Sequence, residues 1–241
     1  MRIVSLCPSL TESVFRLGKG EELVGRTKFC VQPADRVATV ERVGGTKNPK
    51  LDRIVALRPD VVLMNEEENR REDAEALVAA GIRVVSTFAR DVPEAVAVLR
   101  QLGQLLVAED AAEQLAKAIE ARANTIIAHA PTSFVYLIWQ KPHMAVAPGT
   151  YIDALLTLGG GRNVVALTDG NRYPEVDAAT LARADRILLS SEPFPFTERH
   201  REELLAETGR PGNSIQLVDG ELLSWHGART LEGLSYVETL F

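Results

Sequence analysis

Two stretches of the chain align without a gap. Leu51-Asp52-Arg53-Ile54-Val55-Ala56-Leu57-Arg58-Pro59-Asp60-Val61-Val62-Leu63-Met64 runs against Val176-Asp177-Ala178-Ala179-Thr180-Leu181-Ala182-Arg183-Ala184-Asp185-Arg186-Ile187-Leu188-Leu189. Each copy reads as a short helix, a turn and a strand that is apolar on both faces, the pattern of a strand inside a covered parallel sheet. A second echo sets Leu17-Gly18-Lys19-Gly20-Glu21-Glu22-Leu23-Val24 against Leu158-Gly159-Gly160-Gly161-Arg162-Asn163-Val164-Val165, a helix stopped by glycine and then an apolar strand. A duplicated unit implies two similar lobes, and two lobes imply a cleft in which a ligand is held.

With 241 residues the chain has room for two domains of about 100 to 120 residues each. Hydrophobic residues make up 46% and charged residues 25%, with no low-complexity tract, the composition of a chain that buries a core. The net charge of −6 arises from interleaved acids and bases, so there is no basic footprint for nucleic acid. No apolar run approaches the ~20 residues that span a bilayer, which argues against an integral helical membrane protein.

Met1-Arg2 leads directly into Ile3-Val4-Ser5-Leu6-Cys7, a strand pattern without the features of a secretory leader. The expected location is cytoplasmic if Met1 is the native start, and periplasmic or extracellular, as a lipoprotein, if a leader has been removed. Cys7 and Cys30 are too few for a disulfide framework; buried free thiols are expected, with a single bridge left open.

Ser9-Leu10-Thr11-Glu12 has capping-box spacing and opens a helix whose apolar face is Leu10, Val14 and Leu17, ended by Gly18. Leu23-Val24 is a strand, and residues 25–48 are mostly loop. After the first repeat unit, residues 70–80 are helical, Gly81 stops them, and 82–86 form a strand. This alternation predicts a mainly parallel sheet. Between Pro93 and Pro131 the strand signal disappears. Residues 95–106 and 111–128 are rich in strong helix formers, and the second stretch would be about 27 Å long, a stiff connector. Alternation then resumes: strand 133–138, helix 152–158, strand 164–165, helix 178–183, strand 186–189, helix 198–207, strand 214–218 and a last helix near 228–240. The expected architecture is α/β, with a first lobe over 1–92, a helical connector over 93–130 containing the long rigid backbone helix, and a second lobe over 131–241.

Several segments in order resemble one known superfamily. They are Arg2-Ile3-Val4-Ser5-Leu6-Cys7-Pro8-Ser9-Leu10-Thr11-Glu12, Val24-Gly25-Arg26-Thr27, Val43-Gly44-Gly45, the stretch from Leu51 to Val62, and Ala80-Gly81-Ile82. Their order and spacing are similar to those of the helical-backbone metal receptors, solute-binding proteins that take vitamin B12, ferric siderophores or haem to ABC importers, with the vitamin B12 branch closest. The resemblance implies a class III periplasmic-binding-protein-like fold, two lobes on a rigid helix around a shallow cleft. It also implies a metal chelate as ligand, no intrinsic cofactor, no catalysis, and the membrane subunits of an ABC importer as partner.

Carried over by position, Phe29 falls where the B12 binders place an aromatic against the corrin, and Tyr173 falls near a second aromatic supplied by the other lobe. Thr46 and Asn65 stand where that branch has tryptophans. Their substitution thins the apolar wall, since each ring contributes on the order of 1 kcal/mol beyond its burial. The family docks through one acid per lobe, and those positions match Asp52 and Asp177. Each also stands at the start of an expected helix, where an acid caps free N–H groups. Asp is moreover one methylene shorter than the Glu usual in the family. Arg229, in His226-Gly227-Ala228-Arg229, matches a family segment that opens the last helix; a structural ion pair is the other reading.

The remaining candidates come from the residues themselves. His143 and His226 lie in expected loops after strands, where α/β lobes place ligands, but neither has a partner at metal-ligand spacing, so no dedicated metal site is expected. Trp139 and Trp225 are the only tryptophans and both fall in expected cleft loops, with core packing the competing account. Glu66 opens the run Glu66-Glu67-Glu68-Asn69-Arg70-Arg71-Glu72 directly after a strand end, which sets an acid facing the cleft against a solvated helix start. Gly159-Gly160-Gly161 lacks the spacing of a phosphate loop. Cys30 is the one loop thiol and no pattern pairs it with a base, while Ser5 and Ser9 lack a nucleophile elbow, so nothing supports an enzyme. The expected function is capture of a metal chelate between two lobes for an importer; the alternative is a cytoplasmic chelate or metal-cofactor carrier or sensor of the same fold without a transporter.

Overall fold

The short apolar runs pair into two sheets, one in each of two compact units. A computed structural model describes residues 1–127, 130–167 and 170–241. The first unit holds Met1–Ala89, Pro93–Glu120 and His226–Arg229; the second holds Arg90–Val92, Ala121–Trp225 and Thr230–Phe241.

In the first unit β1 (Ile3–Ser5), β2 (Leu23–Arg26), β3 (Val61–Asn65) and β4 (Val84–Thr87) pair in the order β2-β1-β3-β4, parallel throughout. Every residue of β1 and β3 is buried, as strands covered on both faces require. Its helices are α1 (Pro8–Arg16), the single turn α2 (Ala34–Val37), α3 (Leu51–Ala56), α4 (Arg71–Ala79) and α5 (Val92–Leu106), and α6 (Glu109–Ala123) starts there. Val4, Val62 and Met64 from the sheet, and Leu6 just after β1, meet Ile54 of α3 and Leu77 of α4 in one cluster.

The capping box at Ser9 does not form. Cys7 is the N-cap and Pro8 takes the first helical turn, where its missing N–H costs nothing. Ser9 Oγ instead contacts Cys7 Sγ at 3.2 Å, and Glu12 turns to Arg229. The connector is two helices of 15 residues each, and the second ends at Ala123, short of the expected Ala128, which lies outside the described residues. Asn124 and the β-branched Thr125, Ile126 and Ile127 follow that end. Thr125 Oγ1 donates back to the Arg122 carbonyl at 2.7 Å, a local bond that competes with helix propagation.

In the second unit β5 (Thr132–Trp139) carries β6 (Met144–Ala145) and β7 (Gly161–Asn163) along one side, with β8 (Arg186–Ser190) and then β9 (Ile215–Val218) on the other. Among the described strands of this sheet only β6 is antiparallel. The parallel strands run β7-β5-β8-β9, the order of β2-β1-β3-β4, so the duplication seen in the sequence is a duplication of topology. Helices α7 (Tyr151–Leu158), α8 (Ala178–Ala182), α9 (Glu198–Thr208), α10 (Gly220–Ser224) and α11 (Thr230–Val237) complete it. Val135, Leu137, Ile187, Leu189 and Leu204 centre its core.

The strand expected at Val164-Val165 sits three residues earlier. Gly161 pairs with Thr132 because it has no Cβ; one built there would stand 2.7 Å from the Phe134 ring. Val165 then leaves the ladder and enters the core cluster. The single last helix expected over 228–240 is replaced by α10 and α11, and the segment between them includes His226–Arg229, which packs with the first unit. Gly227 permits that path at φ +96.

Candidate functional site

In parallel α/β sheets the loops that leave the carboxyl ends of the strands hold ligands. In the first unit the loop after β3 is built by two asparagines. Asn65 Oδ1 accepts the N–H groups of Glu67 and Glu68 at 2.9 and 3.1 Å, and Asn65 Nδ2 donates to the Thr87 carbonyl at 3.1 Å. Asn69 Oδ1 accepts the Asn65 N–H, and Asn69 Nδ2 donates to the carbonyls of Leu6 and Thr46. With its oxygen fixed by two backbone donors, Asn65 presents its NH2 group to His226 Nε2 at 3.0 Å. That ring nitrogen therefore accepts, and the imidazole carries its proton on Nδ1. Burial pushes the His226 pKa down to about 4.

Asn65 is thus buried, with its amide occupied four times inside the unit, and it holds the loop. Thr46 is also buried and contributes its carbonyl to the same network. Glu66 points out of the loop and is exposed, its N–H tied to the Thr87 carbonyl. Phe29 is 49% exposed, with the Lys28 ammonium 4.8 Å from its ring centroid.

Arg229 is engaged inside the first unit. Its guanidinium grips Glu12 through two bonds, Nε to Oε2 at 2.6 Å and Nη2 to Oε1 at 3.1 Å, with side chains 14% and 9% exposed. The structural ion pair is the observed arrangement, and the sequence offered no spacing signal for it because the partners are 217 residues apart. Beside it the Ala228 N–H donates to Ser13 Oγ at 3.1 Å.

In the second unit Trp139 ends β5 with 42% of its surface exposed, packed edge-on against Phe194 at 5.4 Å between centroids. Phe194 leads on to Phe196 and His200. Tyr173 is half-buried, and its N–H donates to Asn171 Oδ1. Trp225 is 6% exposed, so the core-packing account describes it. Of the two tryptophans, only Trp139 offers a surface.

Asp52 and Asp177 are both exposed, yet they are not equivalent. Lys50 is the N-cap of α3, and Asp52 lies in its first turn with no side-chain capping bond at that N-cap. Asp177 is itself the N-cap of α8, its Oδ1 accepting the Thr180 N–H at 2.8 Å. That bond holds the Asp177 carboxyl below the usual range. The first-copy helix begins earlier in the repeat, which frees its acid from the backbone.

Neither cysteine is placed as a nucleophile. Cys7 and Cys30 are buried and unbridged. Cys30 Sγ accepts from Thr11 Oγ1 at 3.0 Å and contacts Thr27 Oγ1 at 3.1 Å, and burial pushes both thiols up, away from the reactive thiolate. Among the described residues no three His, Cys, Asp or Glu side chains are grouped to hold a metal ion, and no helix is long and apolar enough to cross a membrane.

The family profile described as periplasmic binding protein matches residues 3–200. The chain belongs to that family. Periplasmic binding proteins of this kind deliver solutes and are not enzymes. As a member, the chain is 26% identical over 98% of its length to the vitamin B12-binding protein of Vibrio campbellii, covering 87% of that relative. It is 27% identical over 97% of its length to the uncharacterized ABC transporter substrate-binding lipoprotein YvrC of Bacillus subtilis, covering 77% of it. In fold it is similar to a periplasmic heme binding protein from Pseudomonas aeruginosa, with a TM-score of 0.85, 23% identity, and coverage of 100% of this chain and 92% of that one.

Proposed function

We propose that this protein captures a metal chelate of corrinoid, haem or ferric-siderophore type and presents it to an ABC importer. The observation that carries the reading is the family match over residues 3–200 together with relatives named for vitamin B12, haem and ABC transport. The chain supplies one exposed aromatic near a strand end in each unit, Phe29 and Trp139, which suits a flat, partly apolar ligand. Thr46 and Asn65 are buried and polar, so the first unit contributes less aromatic surface than a dedicated corrin site would. The metal would arrive already ligated, since the described residues group no protein donor set for it. Tyr173, Glu66 and His143 are the polar groups proposed to orient it, with His226 and Asn65 holding the loop behind Glu66. Asp52 and Asp177, both exposed, are the proposed contacts to the membrane subunits.

The test is a tryptophan-fluorescence titration against cobalamin, cobinamide, haem and several ferric siderophores, repeated with Trp139→Phe. Submicromolar quenching by one chelate, lost with Trp139, supports the reading. No response to any chelate overturns it. Charge reversal at Asp52 and Asp177 should leave that titration unchanged and abolish transport by a reconstituted importer.

A further inference from the structure

The second unit contains a cavity of about 270 Å³, and of its lining the chelate role uses His143 alone. One wall is a stripe of α9: His200, Glu203, Leu204 and Glu207 recur at helical spacing and face it together. The opposite wall is the turn between β5 and β6, bringing Lys141 and His143, and Phe196 and Leu204 are its apolar, buried members. The volume is just below the usual range of ligand pockets and suits a molecule of amino-acid size.

The polar groups around it are of both signs and only partly spent. His143 Nδ1 is buried and has no hydrogen-bond partner. His200 Nδ1 accepts the Thr197 N–H at 3.0 Å, which places the ring proton on Nε2 and makes that nitrogen a donor. Glu203 is engaged by Arg199 at 2.8 Å, and that bond, with Lys141 and His200 adding to it, holds its carboxyl low. Glu207 makes no hydrogen bond or ion pair to any described residue, and Lys141 makes no hydrogen bond. The site therefore holds a carboxylate, Glu207, without a bonded partner, an ammonium, Lys141, that makes no hydrogen bond and acts on Glu203 through space, and the His200 Nε2–H, over an apolar floor. His200 and Glu207 stand two helical turns apart, ~10 Å along the helix.

We propose that this cavity binds a small zwitterion, its ammonium on Glu207 and its carboxylate on Lys141 and the His200 Nε2–H, with the chain between them on Phe196 and Leu204. A ligand with one charge only leaves either Glu207 or Lys141 without a partner and is bound more weakly. The inference does not rest on the chelate reading, and the two share one residue, His143.

The probe is 6-aminohexanoate, a carboxylate and an ammonium at opposite ends of an alkyl chain, with hexanoate and hexylammonium as one-ended controls. It is titrated calorimetrically into the full chain, and the histidine ring resonances are followed by NMR. The expected result is binding of the zwitterion about tenfold tighter than either control, with shifts at His143 and His200 and none at buried His226. Glu207→Gln and Lys141→Met, both exposed positions, should each weaken the zwitterion about tenfold and leave unaffected the one-ended probe that does not use the lost group, hexanoate for Glu207→Gln and hexylammonium for Lys141→Met. Equal binding of the three probes, no heat and no imidazole shift, or affinity unchanged in both variants would each overturn the proposal.

Discussion

Asp60 and Asp185 hold the same place in the two copies of the repeat and make the same clamp. Asp60 gives its N–H to the Arg2 carbonyl at 2.8 Å and takes the Arg2 N–H on Oδ2 at 2.6 Å. Asp185 does the same with Ser133, at 3.0 Å each way, and adds the Ser133 hydroxyl at 2.5 Å. In both units a carboxylate in front of one strand fixes where the neighbouring strand begins, which sets the register of the sheet centre.

Asp185→Asn should therefore lower the urea midpoint. The Ser133 hydroxyl and N–H hold the Asp185 carboxyl below its usual range, so the clamp is fully present above the ordinary aspartate value and is lost as pH falls through the depressed one. The midpoint gap between wild type and variant should be constant near neutrality and close in strong acid. A gap that widens on acidification would contradict this.

Arg229→Ala removes one member of a buried, doubly bonded pair and leaves the Glu12 carboxylate without its partner. A loss of about 3 kcal/mol in stability is expected. Replacing both residues with apolar ones of similar size, Glu12→Leu with Arg229→Met, should recover most of it. Chemical denaturation of the three proteins measures both effects, and a double variant as unstable as Arg229→Ala would show that the cation has another task.

His226 makes stability depend on mild acid. Its pKa falls from 6.5 to about 4 on folding, so between those values the unfolded chain binds the proton and the folded chain does not. Stability rises with pH across that window and is lost as pH falls through it, by roughly 3 kcal/mol in all. His226→Gln should flatten the curve of unfolding free energy against pH between those limits, measured by urea titration at intervals across them.

Gly227→Ala asks an L-residue to sit at φ +96 with its Cβ 2.8 Å from Ser13 Oγ. A cost of about 1–2 kcal/mol is expected from the backbone alone. Ser13→Ala in the same chain relieves the contact and not the backbone, so thermal unfolding of the double variant should recover only part of the loss.

The fold was readable in the sequence wherever a local pattern decides the outcome. The buried runs at Val61-Val62-Leu63 and Ile187-Leu188-Leu189 gave the central strands, and the gapless alignment carried Asp60 onto Asp185 before either had a role. What escaped depended on distant partners. Glu12 looked like half of a capping box because nothing local announces Arg229. Asn65 looked like a thinned ligand wall, whereas its amide is consumed by Glu67, Glu68, Thr87 and His226. The tryptophans show the same limit, since both fall near strand or helix ends and only the packing separates the exposed Trp139 from the buried Trp225.

The tetrapeptide from His226 to Arg229 makes the two units inseparable by a single cut. A fragment ending at Glu120 keeps the sheet, Asn65 and Glu12 of the first unit, and loses the histidine, the Ser13 donor and the arginine that complete it. An exchange of the second half between two relatives would bring along four residues that must fit the first half of the recipient. Matching Glu12, Ser13 and Asn65 to the incoming segment is thus a condition for any working chimera.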